Sequence, residues 1–232
     1  MGHYDTQRHS DRMIKVCGMA DPKNIESVAR LTPMLMGFIF YEKSPRYAGN
    51  LPVESVKSLP DYIYPVGLFV DSDIDHIINI CDKYGIRIVQ LHGDESPALC
   101  GELKARGFTV MKAFGIDSET DWSEIEPYEE VTDLYVFDTK TSSKGGSGMK
   151  FDWSLLDRYP LSNPYLLSGG IGPNDIDAII KAMNPKMAGV DINSRFESAP
   201  GIKDIKKLTH FILSLRKYNE DESFTIPFWT KK

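Results

Sequence analysis

Eight short apolar runs recur along the chain and constrain its fold more than any other feature. They begin, roughly 22 to 30 residues apart, at Met13, Leu35, Tyr64, Ile86, Phe108, Leu134, Pro164 and Met187. Their interiors are continuously apolar, which is typical of parallel strands that are buried on both faces. Each gap has room for one short helix, so the pattern predicts an α/β fold, a single (β/α)₈ TIM barrel. A doubly wound open sheet is the alternative, but eight units without a second domain favour a closed barrel.

Apolar residues at helical spacing support this alternation in two of the gaps and after the last run. The stripe over residues 74–81 is followed by Gly85, a residue type that commonly terminates helices. A second stripe, over 176–183, follows Pro173, which we expect in the first helical turn. The third and clearest stripe covers residues 202–215.

Composition and length indicate one domain in a reducing compartment. We expect the barrel to occupy residues 13–218, with an N-terminal extension over 1–12 and a C-terminal extension over 219–232. Three cysteines cannot form a disulfide framework, and the sequence has neither a membrane-length apolar run nor the apolar segment of a signal peptide. The first six residues formally match the N-myristoylation pattern, but that pattern is permissive and we expect no lipid anchor. A cytoplasmic protein is expected, without membrane or nucleic-acid partners, and the net charge of −6 agrees with this.

Two residues at the ends of predicted strands are candidates for proton transfer, because barrels carry chemistry at the C-terminal ends of their strands. Cys17 follows the first strand and is either a base or nucleophile, or a small buried hydrophobic residue. Asp138 closes the apolar sixth strand, where partial loss of solvent suits a general acid. The alternative for Asp138 is a capping aspartate, or one paired with Lys140. Cys81 and Cys100 lie on predicted helices away from the mouth and are expected in the core.

The loops after the seventh and eighth strands are candidates for phosphate binding. Barrels commonly hold phosphate there through backbone N–H groups, and glycine lets the backbone approach an anion closely. Gly169-Gly170 and Asn193-Ser194 occupy these positions, although an ordinary tight turn is the alternative for the glycine pair. The glycine-rich segment 144–148, after the sixth strand, is interpreted as a flexible loop or as a mobile cover over the site.

Two further side chains near the predicted mouth have both a functional and a structural interpretation. Arg46 offers a forked guanidinium to a substrate carboxylate, or is a solvated surface residue. His92 is a polar wall group of the site, or a hydrogen-bonded structural histidine. His76 and His210 fall on helical patterns and are expected at the surface or in packing. The sequence contains no metal-ligand spacing and no nucleotide-binding glycine motif, so we expect no metal and no nucleotide cofactor.

Taken in order, the residues at the strand ends resemble those of the phosphoribosylanthranilate isomerase family. The matching segments are 15–18, 37–40, 43–47, 66–70, 90–95, 137–139, 145–148, 151–153, 168–171 and 190–194. The resemblance extends from about residue 13 to about residue 218. Each segment alone is modest, but the ordered set is specific.

The resemblance implies an isomerase of tryptophan biosynthesis that carries out an Amadori rearrangement. N-(5-phosphoribosyl)anthranilate opens and becomes 1-(2-carboxyphenylamino)-1-deoxyribulose 5-phosphate. Asp138 matches the family's general acid, which protonates the furanose ring oxygen so that the ring opens to a Schiff base. Cys17 matches the general base, which removes the C2 proton to give an enolamine that tautomerises to the ketone. No cofactor is implied, because the hydrogen moves as a proton within one substrate.

The resemblance also implies which residues bind this small phosphorylated substrate. Arg46 is expected near the anthranilate carboxylate, His92 in the wall of the substrate site, and Asp191 in a supporting role close to the phosphate. The residues expected to hold the phosphate are Gly169, Gly170, Asn193 and Ser194. One residue departs from the family pattern, because Arg195 stands where the family commonly has glycine. Its effect on phosphate binding has two interpretations: a lost backbone contact, or a cation that favours the anion.

Two rival functions are weighed against this interpretation. An aminoaldose isomerase of the histidine pathway has similar chemistry, but that family carries an aspartate where Cys17 stands. An inactive barrel that binds or scaffolds other molecules is the second rival, and the presence of Cys17, Asp138 and Gly169-Gly170 argues against it. Either a monomer or a homodimer is expected.

Overall fold

The structure, a computed structural model, describes residues 12–140 and 150–219. Eight parallel strands hydrogen-bond in chain order and close into a barrel when the last pairs with the first. The strands are β1 (Met13–Val16), β2 (Leu35–Ile39), β3 (Tyr64–Phe69), β4 (Ile88–Leu91), β5 (Thr109–Ile116), β6 (Leu134–Thr139), β7 (Tyr165–Leu167) and β8 (Met187–Ile192). The predicted barrel is confirmed, and the pairing of β8 with β1 excludes the open sheet.

Most of both predicted terminal extensions, together with the myristoylation pattern and the predicted cover 144–148, lies outside the described residues. The domain boundaries at 13 and 218 therefore stay a prediction. At the base of the barrel, the guanidinium of Arg12 donates a hydrogen bond to the backbone oxygen of Met187.

Six α-helices of the described residues pack around the strands. They are α1 (Pro22–Ala29), α2 (Glu54–Lys57), α3 (Ile74–Tyr84), α4 (Pro97–Ala105), α5 (Ile176–Ala182) and α6 (Ile205–Asn219). Asp21, Asp73 and Ser96 cap the first turns of α1, α3 and α4 by accepting a backbone N–H. α3 ends at Gly85, whose φ of 72° suits a left-handed cap, as predicted. Within the part of the chain that is described, no helix has both the length and the apolar character needed to cross a membrane.

Two of the gaps hold short 3₁₀ turns, so the expectation of one helix in every gap was wrong. These turns cover Trp122–Glu124, Glu126–Tyr128 and Trp153–Arg158. In the gap between β5 and β6, Pro127 lacks a backbone N–H and its ring opposes a continuous helix. In the gap between β6 and β7, Pro160 restricts Tyr159, which is extended at φ −61° and ψ 111°.

The placement of Pro173 in the first helical turn was also wrong. Pro173 lies in a separate turn that precedes α5. The carboxylate of Asp175 closes this turn by accepting the backbone N–H of Gly172 at 2.6 Å. The helix can therefore begin only at Ile176.

The third helical stripe was predicted to begin too early. Ile202 belongs to β10 (Ile202–Lys203), which pairs antiparallel with β9 (Glu197–Ala199). Gly201, with φ at 81°, turns the chain between the two strands. Ile202 is 40% exposed, and α6 starts at Ile205, beyond the hairpin.

The barrel interior has an apolar floor beneath an open mouth. The floor residues are Met13, Leu35, Val66, Ile88, Met111, Ala113, Leu134, Val136, Leu166 and Ala188. A second apolar layer packs between the strands and the helices, and it contains Cys81 and Cys100, as predicted. His76 and His210 are exposed on α3 and α6, which confirms their surface placement.

A bulge in β8 sets the direction of the Asp191 side chain. Two consecutive residues of β7 pair with Met187 and Gly189, so Ala188 is an extra residue on β8. Such a residue reverses the alternation of faces beyond it. Ala188 packs in the floor, and Asp191, three residues later, also faces the interior. Gly189 is needed at the bulge because a Cβ atom there would overlap the backbone of β1.

Candidate active site

All nine residues predicted for the site line one cavity at the barrel mouth. They are Cys17, Arg46, His92, Asp138, Gly169, Gly170, Asp191, Asn193 and Ser194. They lie at or after the C-terminal ends of six strands, which is the face where barrels carry chemistry. In the described residues, no group of three or more His, Cys, Asp or Glu side chains is arranged to hold a metal ion.

Cys17 lies at the bottom of the cavity, directly after β1. It is only 3% exposed, and its backbone N–H donates to the oxygen of Ile192 at 2.9 Å. Burial raises the pKa of the thiol above its ordinary value, and the positive charge of Lys15 opposes that effect. Cys17 is therefore buried, as its structural interpretation expects, while it also lines the cavity beside charged groups.

The lysine beside Cys17 was missed by sequence reasoning. Lys15 is fully buried, and its Nζ donates to Oδ2 of Asp191 at 2.9 Å. Burial alone would lower the pKa of Lys15, but Asp191 and Cys17 hold it above the usual value. A signal was available: the positions of Met13, Lys15 and Cys17 alternate, so all three face the same side of β1.

One carboxylate oxygen of Asp191 has no hydrogen-bond partner among the described residues. Its Oδ2 is bound by Lys15, whereas its buried Oδ1 accepts no hydrogen bond from any described residue. Burial raises the pKa of Asp191, and the nearby Lys15 opposes this effect. Because the Asp191 residue lines the cavity, its carboxylate is placed to interact with a bound molecule.

Asp138 lies across the mouth from Cys17, near the end of β6, and is 22% exposed. Its Oδ1 accepts the backbone N–H of Thr139 at 2.7 Å, and its Oδ2 lies 3.5 Å from Nε2 of His92. The proposed pairing with Lys140 was wrong, because Lys140 pairs with Asp117 at 3.0 Å. Asp138 thus keeps a partly exposed carboxyl oxygen toward the cavity.

His92 is both a hydrogen-bonded histidine and a wall of the cavity. The amide nitrogen of Gln90 lies 3.0 Å from Nδ1 of His92. In this orientation of the Gln90 amide, its nitrogen donates to Nδ1, and Nε2 then carries the ring proton toward Asp138. The sequence had singled out His92 but not Gln90, which holds the ring in this orientation.

A buried ion pair holds the loop that carries His92. Nζ of Lys112 lies 3.2 Å from Oε2 of Glu95 and donates to the backbone oxygen of Gly93 at 2.8 Å. Glu95 in turn accepts the backbone N–H of Gly93 at 2.9 Å. The backbone carbonyl and the backbone N–H of Gly93 are therefore both held by hydrogen bonds, and this residue directly follows His92.

Arg46 is held by a carboxylate and is not a solvated surface residue. Its Nε donates to Oε1 of Glu197 at 2.9 Å and its Nη2 donates to Oε2 at 2.7 Å. The side chain of Arg46 is only 13% exposed. Although burial opposes it, the hydrogen bond from Arg46 and the charge of Lys203 lower the pKa of Glu197.

The hairpin β9–β10 links Arg46 to the loop after β8. Lys203 is fully buried, and its Nζ donates to Glu197 at 2.7 Å and to Oδ1 of Asn193 at 2.6 Å. Glu197 and Lys203 were not among the predicted site residues. Lys203 was missed because the segment from residue 202 had been assigned to the last helix, and Glu197 was missed because its partner Arg46 is distant in sequence.

The glycine pair after β7 has a backbone shape that other residues rarely adopt. Gly169 and Gly170 have φ values of 85° and 63°. A Cβ atom on Gly169 would lie 2.4 Å from Oγ1 of Thr139 and 2.9 Å from Oδ1 of Asp138. The loop therefore passes directly beside Asp138. Arg195 is exposed, and its Cβ and Cδ lie 3.9 Å from where Gly172 would carry a Cβ.

A family model described as N-(5'-phosphoribosyl)anthranilate (PRA) isomerase matches residues 14–214. The chain belongs to this family. It is 44% identical to the N-(5'-phosphoribosyl)anthranilate isomerase of Parabacteroides distasonis over 202 residues, which cover 86% of this chain and 91% of the relative. The resemblance seen in the sequence motifs is therefore confirmed.

Solved structures of the PRA isomerase family have the same fold. The crystal structure of phosphoribosyl anthranilate isomerase from Thermotoga maritima is 31% identical, with a TM-score of 0.76, and the match covers 89% of this chain and 99% of that chain. A second crystal structure is that of a phosphoribosyl anthranilate isomerase in complex with reduced 1-(o-carboxyphenylamino)-1-deoxyribulose 5-phosphate. It is 28% identical, with a TM-score of 0.73, and covers the same shares of the two chains.

Proposed function

We propose that this member of the PRA isomerase family converts N-(5'-phosphoribosyl)anthranilate to 1-(2-carboxyphenylamino)-1-deoxyribulose 5-phosphate, with Asp138 as general acid and Cys17 as general base. The isomerase activity, a step of tryptophan biosynthesis, follows from membership of the family. The observation that supports the two roles is that both side chains line one cavity together with the glycine loop after β7. A relative of this chain binds the reduced form of the product.

Asp138 acts first. It delivers a proton to the furanose ring oxygen, the bond from that oxygen to C1 breaks, and the nitrogen lone pair forms a C1–N double bond. The adjacent His92 supports this step, because its Nε2–H faces Oδ2 of Asp138 and stabilises the carboxylate that remains.

Cys17 acts second. Its thiolate removes the C2 proton, and the electron pair of that bond forms a C1–C2 double bond while the iminium nitrogen becomes neutral. The resulting enolamine loses its hydroxyl proton and gains a proton at C1, which gives the ketone. Atoms are conserved, and no electron is exchanged with an outside molecule.

The charges around Arg46 fit an anionic group of the substrate. Arg46 and Lys203 together carry two positive charges against the single carboxylate of Glu197. We assign the anthranilate carboxylate to Arg46, and a substrate hydroxyl or amine to the carboxylate of Asp191, which lines the same cavity. His92 forms the wall between these groups. The phosphate is assigned to the loop residues Gly169, Gly170, Asn193 and Ser194.

The remaining proposals concern assembly and location. We propose that the chain acts without a cofactor, as a monomer or a homodimer, in the cytoplasm. All nine site residues come from one chain, so a monomer already has a complete cavity. Light scattering on the purified protein tests the assembly, and fractionation of cells tests the location.

The test of the function is turnover of freshly prepared N-(5'-phosphoribosyl)anthranilate, followed by the loss of anthranilate-type fluorescence. The wild type is expected to turn over, and the double variant Cys17→Ser/Asp138→Asn is the matched control for spontaneous breakdown. The aminoaldose of histidine biosynthesis, offered in parallel, should not be converted. Equal fluorescence loss with and without wild-type protein would support the inactive-barrel alternative.

A further inference from the structure

Lys15 is a buried charge that the proposed acid–base pair does not use. It has no exposed surface and lies inside the barrel, between the floor residue Met13 and the cavity residue Cys17. An ammonium group is costly to bury, and burial is tolerated when the charge is paired. A lysine at this position therefore needs an explanation beyond packing.

Asp191 supplies only part of that pairing. The ammonium group has three donors, and one of them reaches Oδ2 of Asp191 at 2.9 Å. The register of the barrel creates this contact, because Lys15 on β1 is paired with Asp191 on β8. The other face of the ammonium group is turned toward β2 and the sulfur of Cys17.

Gly37 on β2 leaves the space in which the ammonium group and the sulfur meet. A Cβ atom at this position would lie 2.7 Å from Sγ of Cys17 and 3.1 Å from Nζ of Lys15. Both atoms therefore border the same small volume. Any side chain at residue 37 would push the two groups apart or displace one of them.

We propose that Lys15 is a positioning residue whose buried ammonium group stabilises the thiolate of Cys17, while Asp191 holds that ammonium group in place. This rests on the proposed function, because it takes Cys17 to be the base. Lys15 exchanges no proton in this role. The ammonium group of Lys15 compensates the negative charge of the Cys17 thiolate. This charge exists before Cys17 removes the C2 proton and is lost once the thiol has formed.

Three charged groups act on Cys17 from the elements around it. Lys15 on β1 and Lys203 on β10 favour the thiolate, whereas Asp191 on β8 opposes it. Burial remains the largest influence and favours the neutral thiol. If Lys15 were absent, burial and the charge of Asp191 would both favour the neutral thiol. Only Lys203, which acts more weakly than Lys15, would then favour the thiolate.

The test measures how readily the thiolate forms, independently of turnover. Alkylation of the Cys17 peptide by iodoacetamide is followed by mass spectrometry across pH, in parallel with the pH profile of kcat/KM. In Lys15→Met, which keeps the length and removes the charge, both midpoints should move up by about one pH unit or more, with at least a tenfold slower reaction at neutral pH. KM should change little.

Two further variants keep the test decisive. Lys112→Met removes a different buried lysine of the barrel, one paired with Glu95, and should leave the Cys17 alkylation midpoint where it is. Asp191→Asn should lower that midpoint, and Lys15→Met/Asp191→Asn should raise it again without leaving a buried charge unpaired. An alkylation midpoint that is the same with and without Lys15 would overturn the role of Lys15.

Failure of the underlying function gives a different result. If Cys17 is not the base, Cys17→Ser keeps its activity, while Lys15→Met still shifts the alkylation midpoint. If Cys17 is the base but Lys15 has no such role, Cys17→Ser is inactive and the midpoint does not move.

Discussion

Arg46 and Glu197 face each other across the loops after β2 and β8, joined by a bidentate ion pair of 2.9 and 2.7 Å. The pair fixes the plane of the guanidinium group, because two of its nitrogens are bound to the same carboxylate. The third nitrogen of the group, Nη1, donates no hydrogen bond to any of the described residues. The substrate carboxylate that we assign to Arg46 would therefore meet an arginine that is already oriented.

We expect Glu197→Gln to weaken substrate binding more than it slows the chemical step. Arg46 and the buried Lys203 would lose their shared counter-charge, and the guanidinium group would lose its fixed plane. KM should rise about tenfold, which corresponds to about 1.4 kcal/mol of binding free energy, while kcat changes little. Steady-state kinetics measures both constants.

Glu102→Gln is the matched control for this substitution. Glu102 on α4 also binds an arginine, Arg106, which directly follows that helix, but both side chains are half exposed. Exposed pairs contribute little, so this variant should behave like the wild type. A KM for Glu197→Gln equal to that of Glu102→Gln would contradict the positioning of Arg46.

Asp138→Asn should abolish turnover and leave the affinity for the product largely intact. The amide keeps the shape of the side chain and can still accept the N–H of Thr139, but it cannot supply a proton as an acid does. Loss of a general acid typically costs about 10²–10⁴-fold in rate. Stopped-flow turnover and calorimetric titration with product check the two expectations.

Asp117→Asn is the control for loss of a carboxylate near the same strand ends. Asp117 pairs with Lys140 at the surface and does not line the cavity. Its substitution should leave the rate unchanged. Near-normal turnover by Asp138→Asn would remove Asp138 from the acid role.

The glycine loop after β7 predicts a separable effect on phosphate binding. Gly169→Ala places a side chain at φ 85°, which costs about 1–2 kcal/mol of folding free energy, and crowds Thr139. Inorganic phosphate or sulfate should compete with the substrate in the wild type, and this competition should weaken at least tenfold in Gly169→Ala. Inhibition kinetics and thermal unfolding measure the two effects.

Gly107→Ala separates strain from binding. Gly107 has the same φ of 85°, but a Cβ there would meet no atom within 4 Å. It lies between α4 and β5, away from the mouth. We expect Gly107→Ala to destabilise the fold to a similar extent and to leave the competition by phosphate unchanged. A sulfate-soaked crystal with no anion near Gly170 or Ser194 would contradict the phosphate assignment.

The strands were predictable because each is mostly apolar, as a parallel strand covered on both faces requires. The closure of the barrel, in which β8 pairs with β1, was predicted because the chain has eight strand units and no second domain. The absence of an α-helix between β5 and β6, and between β6 and β7, was harder to predict, because Pro127 and Pro160 act only on the local backbone. Helical spacing alone could not show that Ile202 turns back in a hairpin.

The site was predictable where it follows the strand-end rule and not where it depends on partners across the barrel. Cys17 and Asp138 end their strands, so position alone selected them. Alternation along β1 places Lys15 on the same face as Cys17, but its pairing with Asp191 is recognisable only once β1 lies beside β8 and the bulge in β8 turns Asp191 inward. Glu197 likewise acquires its role from Arg46, which is distant in sequence.

The pH dependence of the reaction should identify Cys17. Burial raises the pKa of this thiol above its ordinary value, so only a small fraction is thiolate at neutral pH. The base Cys17 must be deprotonated while the acid Asp138 must be protonated, so the pH profile of kcat/KM should contain a limb set by Cys17. This limb should lie beyond about pH 8.5, the midpoint of a free thiol. The pair of Arg46 and Glu197 does not produce this limb, because the pKa of Glu197 is lowered and its carboxylate stays ionised.

Cys17→Ser should remove the alkaline limb and reduce the rate by about 10²–10⁴-fold, because a hydroxyl hardly ionises in this range. The fold should be kept, since serine has nearly the volume of cysteine. Cys81→Ser and Cys100→Ser are the controls, because burial raises the pKa of Cys81 to about 12 and that of Cys100 to about 11, on helices outside the cavity. Their pH profiles should match the wild type.

Alkylation of Cys17 should inactivate the enzyme, and bound product should slow the alkylation by covering the mouth. A Cys17→Ser variant that keeps most of its activity would place the base elsewhere, even with the same substrate.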